Sequence, residues 1–194
     1  CPSTCATVVS ALPLAPNVPA EAPRRRWSWS ESESGFCRRK ADRLKHVVRT
    51  IGVAIGLPEP YAAELQKWRE HLGDPMALAI PAHVTLVPPT EVERGDVPAI
   101  EDHLRVVAAS QWQSEILLRG TGSFRPVSPV VFVSLATGLS GCERLEDAVR
   151  SGPLDRPRRF NYHPHVTVAH DVPDAVLDRA FAELADDQAS FEVH

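Results

Sequence analysis

The stretch Ala82-His83-Val84-Thr85-Leu86-Val87 is answered 82 residues later by Pro164-His165-Val166-Thr167-Val168-Ala169. Two copies of His-x-Thr followed by an aliphatic residue, at a fixed offset, read as an internal repeat. The pattern around them keeps the same frame, because Leu57 to His83 spans 26 residues and so does Leu139 to His165. Ahead of the first copy, Ile51, Val53, Ile55 and Leu57 alternate as a strand, and Tyr61, Leu65, Trp68 and Leu72 fall on one helix face. Pro58 and Pro60 fit the turn between them. The motif strand, over residues 82–87, is expected to stop at Pro88-Pro89; a helix bearing Val97, Ile100, Leu104 and Val107 and a third strand over 113–121 follow. The second half repeats the order. A strand over 130–136 leads to a helix with Cys142, Leu145 and Val149 on one face, opened by a capping box of Ser140 and Glu143. A strand over 165–169 leads to a helix opened by Pro173, with Leu177, Phe181 and Leu184 on one face. Phe191 and Val193 then alternate as a last strand. The 82-residue offset would start that strand near position 195, so the chain is expected to hold only its beginning.

Composition narrows the classes. The chain has 194 residues, 43% of them hydrophobic, enough for one substantial core. A net charge of −4 argues against a broadly basic surface that coats nucleic acid, and leaves room for a short nucleotide in a local cleft. No run of 18 apolar residues exists, so no membrane span is expected. The four cysteines form no CxxC pair, which speaks against a zinc site or a disulfide framework. Residues 1–45 carry five prolines, six serines and a net charge of +4, against −8 for the remainder. They read as a flexible leader, and residues 46–194 as the folded domain. The expectation is a cytoplasmic monomer.

Strand geometry says what the motif presents. Side chains two apart point to one face, so each copy offers an imidazole and a hydroxyl side by side, while Val84, Leu86, Val166 and Val168 pack beneath. If the halves face each other across a pseudo-twofold axis, two imidazoles and two hydroxyls converge. That set suits phosphodiester chemistry: one neutral imidazole takes a proton from water or a ribose hydroxyl, while the other, protonated, donates to the departing oxygen. Threonine hydroxyls can donate to the non-bridging phosphate oxygens, where charge develops. No metal or other cofactor is called for. Arg125, Arg156, Arg158 and Arg159 are candidate phosphate contacts.

With HVTL at 83–86, HVTV at 165–168 and Tyr162-His163-Pro164 leading into the second copy, residues 49–194 resemble the two-histidine phosphoesterase superfamily, which includes proteins known as 2′-5′ RNA ligases and RNA 2′,3′-cyclic phosphodiesterases. The resemblance implies an α+β, bilobal fold, with two antiparallel sheets lining a central cleft and helices outside. It implies RNA or nucleotide substrates with 2′,3′-cyclic phosphate or 2′-5′ linkages, with His83 and His165 as the acid-base pair and Thr85 and Thr167 on the phosphate. A non-catalytic RNA-end or nucleotide-binding module with the same cleft is the alternative. His163, His165 and His170 could also suggest a metal site, yet alternation puts His170 on the face opposite His163 and His165. His163 is expected to position the strand beside Pro164, and His46, His71, His103 and His194 call for no function.

Overall fold

The computed structural model describes residues 48–110, 114–186 and 188–193. The expected leader, residues 1–45, lies outside the described residues, as do His46, Gln113 and His194. Within them the chain runs β1 (Val48–Gly56), α1 (Tyr61–His71), β2 (His83–Glu93), α2 (Val97–Ala109), β3 (Ser114–Ser123), β4 (Val130–Thr137), α3 (Leu139–Arg150), β5 (His165–His170), α4 (Asp174–Glu183) and β6 (Gln188–Val193). Short 3-10 turns occupy Arg94–Asp96 and Gly152–Leu154. The order strand, helix, strand, helix, strand therefore occurs twice, as the periodicity predicts. None of these helices is long and apolar enough to cross a membrane.

The strands form one antiparallel six-stranded sheet, in the order β1-β2-β5-β4-β3-β6, in place of the two sheets expected. The splice is narrow: β2 and β5 pair at Val84 and Val166. Around that pair the sheet is pseudo-symmetric, with β1 outside β2 and β4 outside β5. The outer strands break the symmetry. β3 turns through residues 124–129 into its sequence neighbour β4, and β6 takes the other edge of β3, whereas a strict twofold would place β6 beyond β1.

Register also corrects the repeat offset. Thr85 lies opposite Ala54 and Thr167 opposite Phe132, so the first strands correspond at a separation of 78 (132 less 54), while the motifs remain 82 apart. α1 and α3 begin at Tyr61 and Leu139, again 78 apart. The four additional residues of the second half lie between the start of its first helix and its motif. Leu57 and Leu139 are thus not structural equivalents.

Both motif strands bulge just after the threonine. The pairing steps from Thr85 opposite Ala54 to Val87 opposite Val53, and from Thr167 opposite Phe132 to Ala169 opposite Val131. One extra residue in each strand sends two successive side chains inward, so Leu86 and Val87, like Val168 and Ala169, are all buried. The same step returns His170 to the face of His165, contrary to simple alternation. A second irregularity lets β2 run past Pro88-Pro89 to Glu93. The prolines fall between the pairs Val53–Val87 and Ile51–Thr90, beyond the contact with β5, where no ladder partner needs their missing N–H.

One face of the sheet is the core. Val84, Leu86, Val131, Val133, Val166 and Val168 pack with Leu65 and Leu72 of the α1 segment, Ile100 and Leu104 of α2, Cys142, Leu145 and Val149 of α3, and Leu177 of α4. Two helix details differ from expectation. α3 starts at Leu139, and its N-cap is Gly138 at φ 94°, without a side-chain cap. A Cβ there would lie 2.7 Å from the Glu115 carbonyl oxygen, so glycine is required for the tight β4–α3 turn and the Ser140–Glu143 box does not form the cap. In α4 the inward stripe runs through Leu177 and Ala180 to Leu184 just beyond the helix, all fully buried, and Phe181 is exposed.

Candidate active site

The pair Val84–Val166 places the four motif side chains. Both valines point into the core at 0% exposure, so the residues on either side of them turn to the opposite face. In antiparallel register His83 comes beside Thr167 and Thr85 beside His165, and all four are half-buried. The structure thus places His83, Thr85, His165 and Thr167, the residues expected from the motif, on one sheet face.

Each imidazole is anchored from behind. Nδ1 of His83 donates to the Pro81 carbonyl at 2.7 Å, and Nδ1 of His165 donates to the His163 carbonyl at 2.6 Å. A carbonyl only accepts, so each Nδ1 carries the proton and each Nε2 is left for chemistry. The two environments then diverge. Nε2 of His83 lies 3.1 Å from Thr85 Oγ1. When the ring is neutral the hydroxyl donates to it; when the ring is protonated Nε2–H donates, and the hydroxyl proton is free for another acceptor. His165 instead sits among rings: Phe124 and Phe132 each lie 4.9 Å from it, and His163 stacks at 6.1 Å. Phe132 fits because Gly122 lies opposite it in β3; a Cβ on Gly122 would overlap the ring.

Burial lowers the proton affinity of both histidines below the ordinary value of 6.5. The Pro81 contact opposes this at His83 and the charge of Arg69 adds to it. At His165 the His163 carbonyl opposes it, and the charges of His163 and His83 add to it. Both rings are therefore mostly neutral near pH 7 until an anion arrives.

The loops that deliver the motifs are pinned by charges the sequence does not advertise. In the first half Arg69 and Asp74, 4% and 6% exposed, pair at 2.9 Å; Arg69 also donates to the Ile80 carbonyl, and Asp74 Oδ1 accepts the Met76 N–H at 2.8 Å. In the second half Glu146, 2% exposed, accepts Arg158 Nε at 3.1 Å and pairs with Arg150. Tyr162 ties the halves together, donating its hydroxyl to the Thr85 carbonyl at 3.1 Å. Burial pushes that phenol well above its usual range, so it stays a donor. His103 serves the structure, since its Nε2 lies 3.2 and 3.1 Å from the Ala148 and Val149 carbonyls at the end of α3. Of all these, Tyr162 had a signal as the lead-in to the second motif, and Arg158 had one only as a candidate phosphate contact.

Three of the candidate arginines have partners of their own. Arg125 reaches Asp178 at 2.8 Å and Asp174 at 3.8 Å, on α4. Arg158 is held by Glu146 and Asp147 of α3. Arg156 donates to the Asp155 carbonyl at 2.8 Å, and Arg159 is exposed on the loop before β5. Among the described residues no three His, Cys, Asp or Glu side chains converge as a metal-binding set. Cys142 is buried, and its thiol is pushed up to about 11 by that burial and by Glu143, which makes it a core residue and not a nucleophile. A depression bounded by Ser114, Thr137 and Gly138 shares no residue with the histidine face.

Duplicated His-x-Thr strands, joined at one pair with their polar side chains on a common sheet face and helices behind, define a two-histidine α+β protein. The sequence model of the 2′-5′ RNA ligase superfamily matches residues 57–194, and the chain belongs to that family. Among similar proteins, one from Geobacillus kaustophilus named "Putative phosphoesterase" is 26% identical over 141 residues, covering 73% of this chain and 80% of its own length. Proteins of the same name from Geobacillus sp. (strain WCH70) and Bacillus licheniformis are 28% and 30% identical, covering 58% and 52% of this chain and 65% and 59% of their own lengths.

Proposed function

We propose that the chain is a metal-independent phosphodiesterase acting on 2′,3′-cyclic phosphate or 2′-5′ phosphodiester bonds of RNA or nucleotides. The observation that carries this reading is the Val84–Val166 pairing, which sets two back-anchored imidazoles and two threonines on one sheet face. Family membership and the phosphoesterase names of its relatives support it. In the reaction one Nε2 removes a proton from the attacking water as its oxygen bonds to phosphorus. The other imidazole, protonated as the anionic substrate raises its proton affinity, gives its proton to the departing ribose oxygen as the P–O bond breaks. Thr85 and Thr167 donate to the non-bridging oxygens. At His83 the same hydroxyl can accept Nε2–H and still donate to phosphate, linking protonation of the ring to phosphate contact.

Incubation with 2′,3′-cyclic nucleotides in excess EDTA tests this. Turnover should persist with chelator and fall about 10²- to 10⁴-fold in His83→Ala and in His165→Ala, since each removes one proton-transfer partner. The identity of the monophosphate isomer reports which ribose oxygen leaves. Turnover that stops with chelator, or full activity in either variant, refutes the mechanism. Tight binding without turnover would establish a nucleotide-binding module instead.

A further inference from the structure

We propose that His163 is a third imidazole of this site, a substrate-contacting residue that engages the phosphate next to the one being cleaved, so that oligonucleotides are preferred to mononucleotides. The inference rests on the phosphodiester reading and adds to it a residue and a substrate length. His163 stands two residues before His165 with buried Pro164 between them, so His163, His165 and Thr167 form a row on the outward side of one chain segment. The His163 side chain is exposed, yet its ring is held: it stacks on His165 at 6.1 Å with 23° between the planes, and lies 5.5 Å from Phe132 and 5.8 Å from Phe124. Those two phenylalanine rings are themselves 4.5 Å apart. An exposed polar group whose ring is already ordered loses little entropy on meeting a ligand.

Three further observations point to a phosphate. The offset between the two imidazoles is of the order of one step between successive phosphates of an extended strand. Arg125 and Arg158 are each paired with carboxylates, of α4 and α3, so their charges are already partly offset. Imidazole can fill the role as a neutral N–H donor or as a cation. The charge of His163 is also felt at His165, as expected of neighbouring groups on one face. The corresponding position before His83 is Pro81, which has no polar side chain. The additional contact therefore belongs to one side of the site only.

Binding of products, which are not turned over, separates this inference from the reaction. The probes are adenosine 2′- and 3′-monophosphate and the diadenosine dinucleotides carrying a terminal 2′- or 3′-phosphate, titrated at fixed salt. The wild-type chain should bind the dinucleotide about tenfold more tightly, the scale of one charge-assisted hydrogen bond. His163→Phe, which keeps a ring to pack, should bring the mono- and dinucleotide dissociation constants within about twofold of each other, and His163→Arg should restore the preference. No preference in the wild type, a preference that survives His163→Phe, or equal losses for both ligands overturns the proposal. Turnover of cyclic nucleotides alongside any of these results leaves the phosphodiesterase reading standing and removes only the part given to His163. Failure to bind any of these products overturns the part given to His163, and absence of turnover overturns the reading on which it rests.

Discussion

Replacing Asp74 with alanine should be among the most damaging single changes outside the two motifs. It leaves the Arg69 guanidinium, whose side chain is 5% exposed, without its 2.9 Å partner in the interior. Breaking a buried pair from one side costs about 3–5 kcal/mol, and loss of the Asp74 bond to the Met76 N–H about 1 kcal/mol more. For a domain of this size that corresponds to a fall in Tm of roughly 8–24 °C. Urea denaturation followed by circular dichroism measures the loss. The double variant Arg69→Met/Asp74→Leu should recover most of it, because two apolar side chains of similar volume need no solvation. The double variant also removes the Arg69 charge that lowers the proton affinity of His83, so the His83 midpoint should move up toward 6.5 in an NMR titration, whereas Asp74→Ala alone should not raise it. A single variant within about 1 kcal/mol of wild type, or a double variant no more stable than the single, would show that the charge pair is not what holds this loop.

Because the free protein lowers the proton affinity of both histidines, the bell-shaped profile of kcat/KM should peak below pH 6.5 for a cyclic nucleotide; a maximum above about pH 7.5 would contradict the assignment. Stability should follow the same groups. The unfolded chain takes up protons near 6.5, before the folded histidines do, so stability is full above that pH and declines as pH falls from about 6.5 through the lowered folded midpoints. Denaturation midpoints across that range should show a smaller slope in His83→Gln/His165→Gln. Gly122→Ala drives a methyl into the Phe132 ring and should cost about 1–3 kcal/mol; NMR should show the His165 ring displaced, and an unmoved His165 signal would refute the account of its packing.

Much of this was legible in the chain. Apolar spacing located the four helices described and the starts of the motif strands to within a few residues, since a side chain in a helix or strand is sorted by a fixed period. The His-x-Thr copies were legible as site residues because alternation within one strand is a local property. Local patterns failed where the outcome depended on a partner strand. Pro88-Pro89 did not end β2, because the strand opposite steps past them. His170 changed face, because β5 carries an extra residue against β4. Phe181 is exposed, and Ala180 took the inward position. The pinning pairs, Arg69–Asp74 and Glu146–Arg158, were hidden because the helical member of each, Arg69 or Glu146, reads as part of a solvent face and its partner lies in a loop.

The duplicated motif by itself determined that each half presents one imidazole and one hydroxyl on a common side of a strand, and the repeat determined the order of strands and helices. Tertiary structure alone decided that the two copies meet at Val84 and Val166 in a single sheet, and that the last strand of the second half lies beside β3. It alone gave the two histidines different surroundings, one facing a hydroxyl and a buried guanidinium, the other boxed by Phe124, Phe132 and His163. The physical reason is range. Alternation and helical period act within one segment, whereas desolvation, ring packing and strand register depend on residues that only folding brings within a few ångströms.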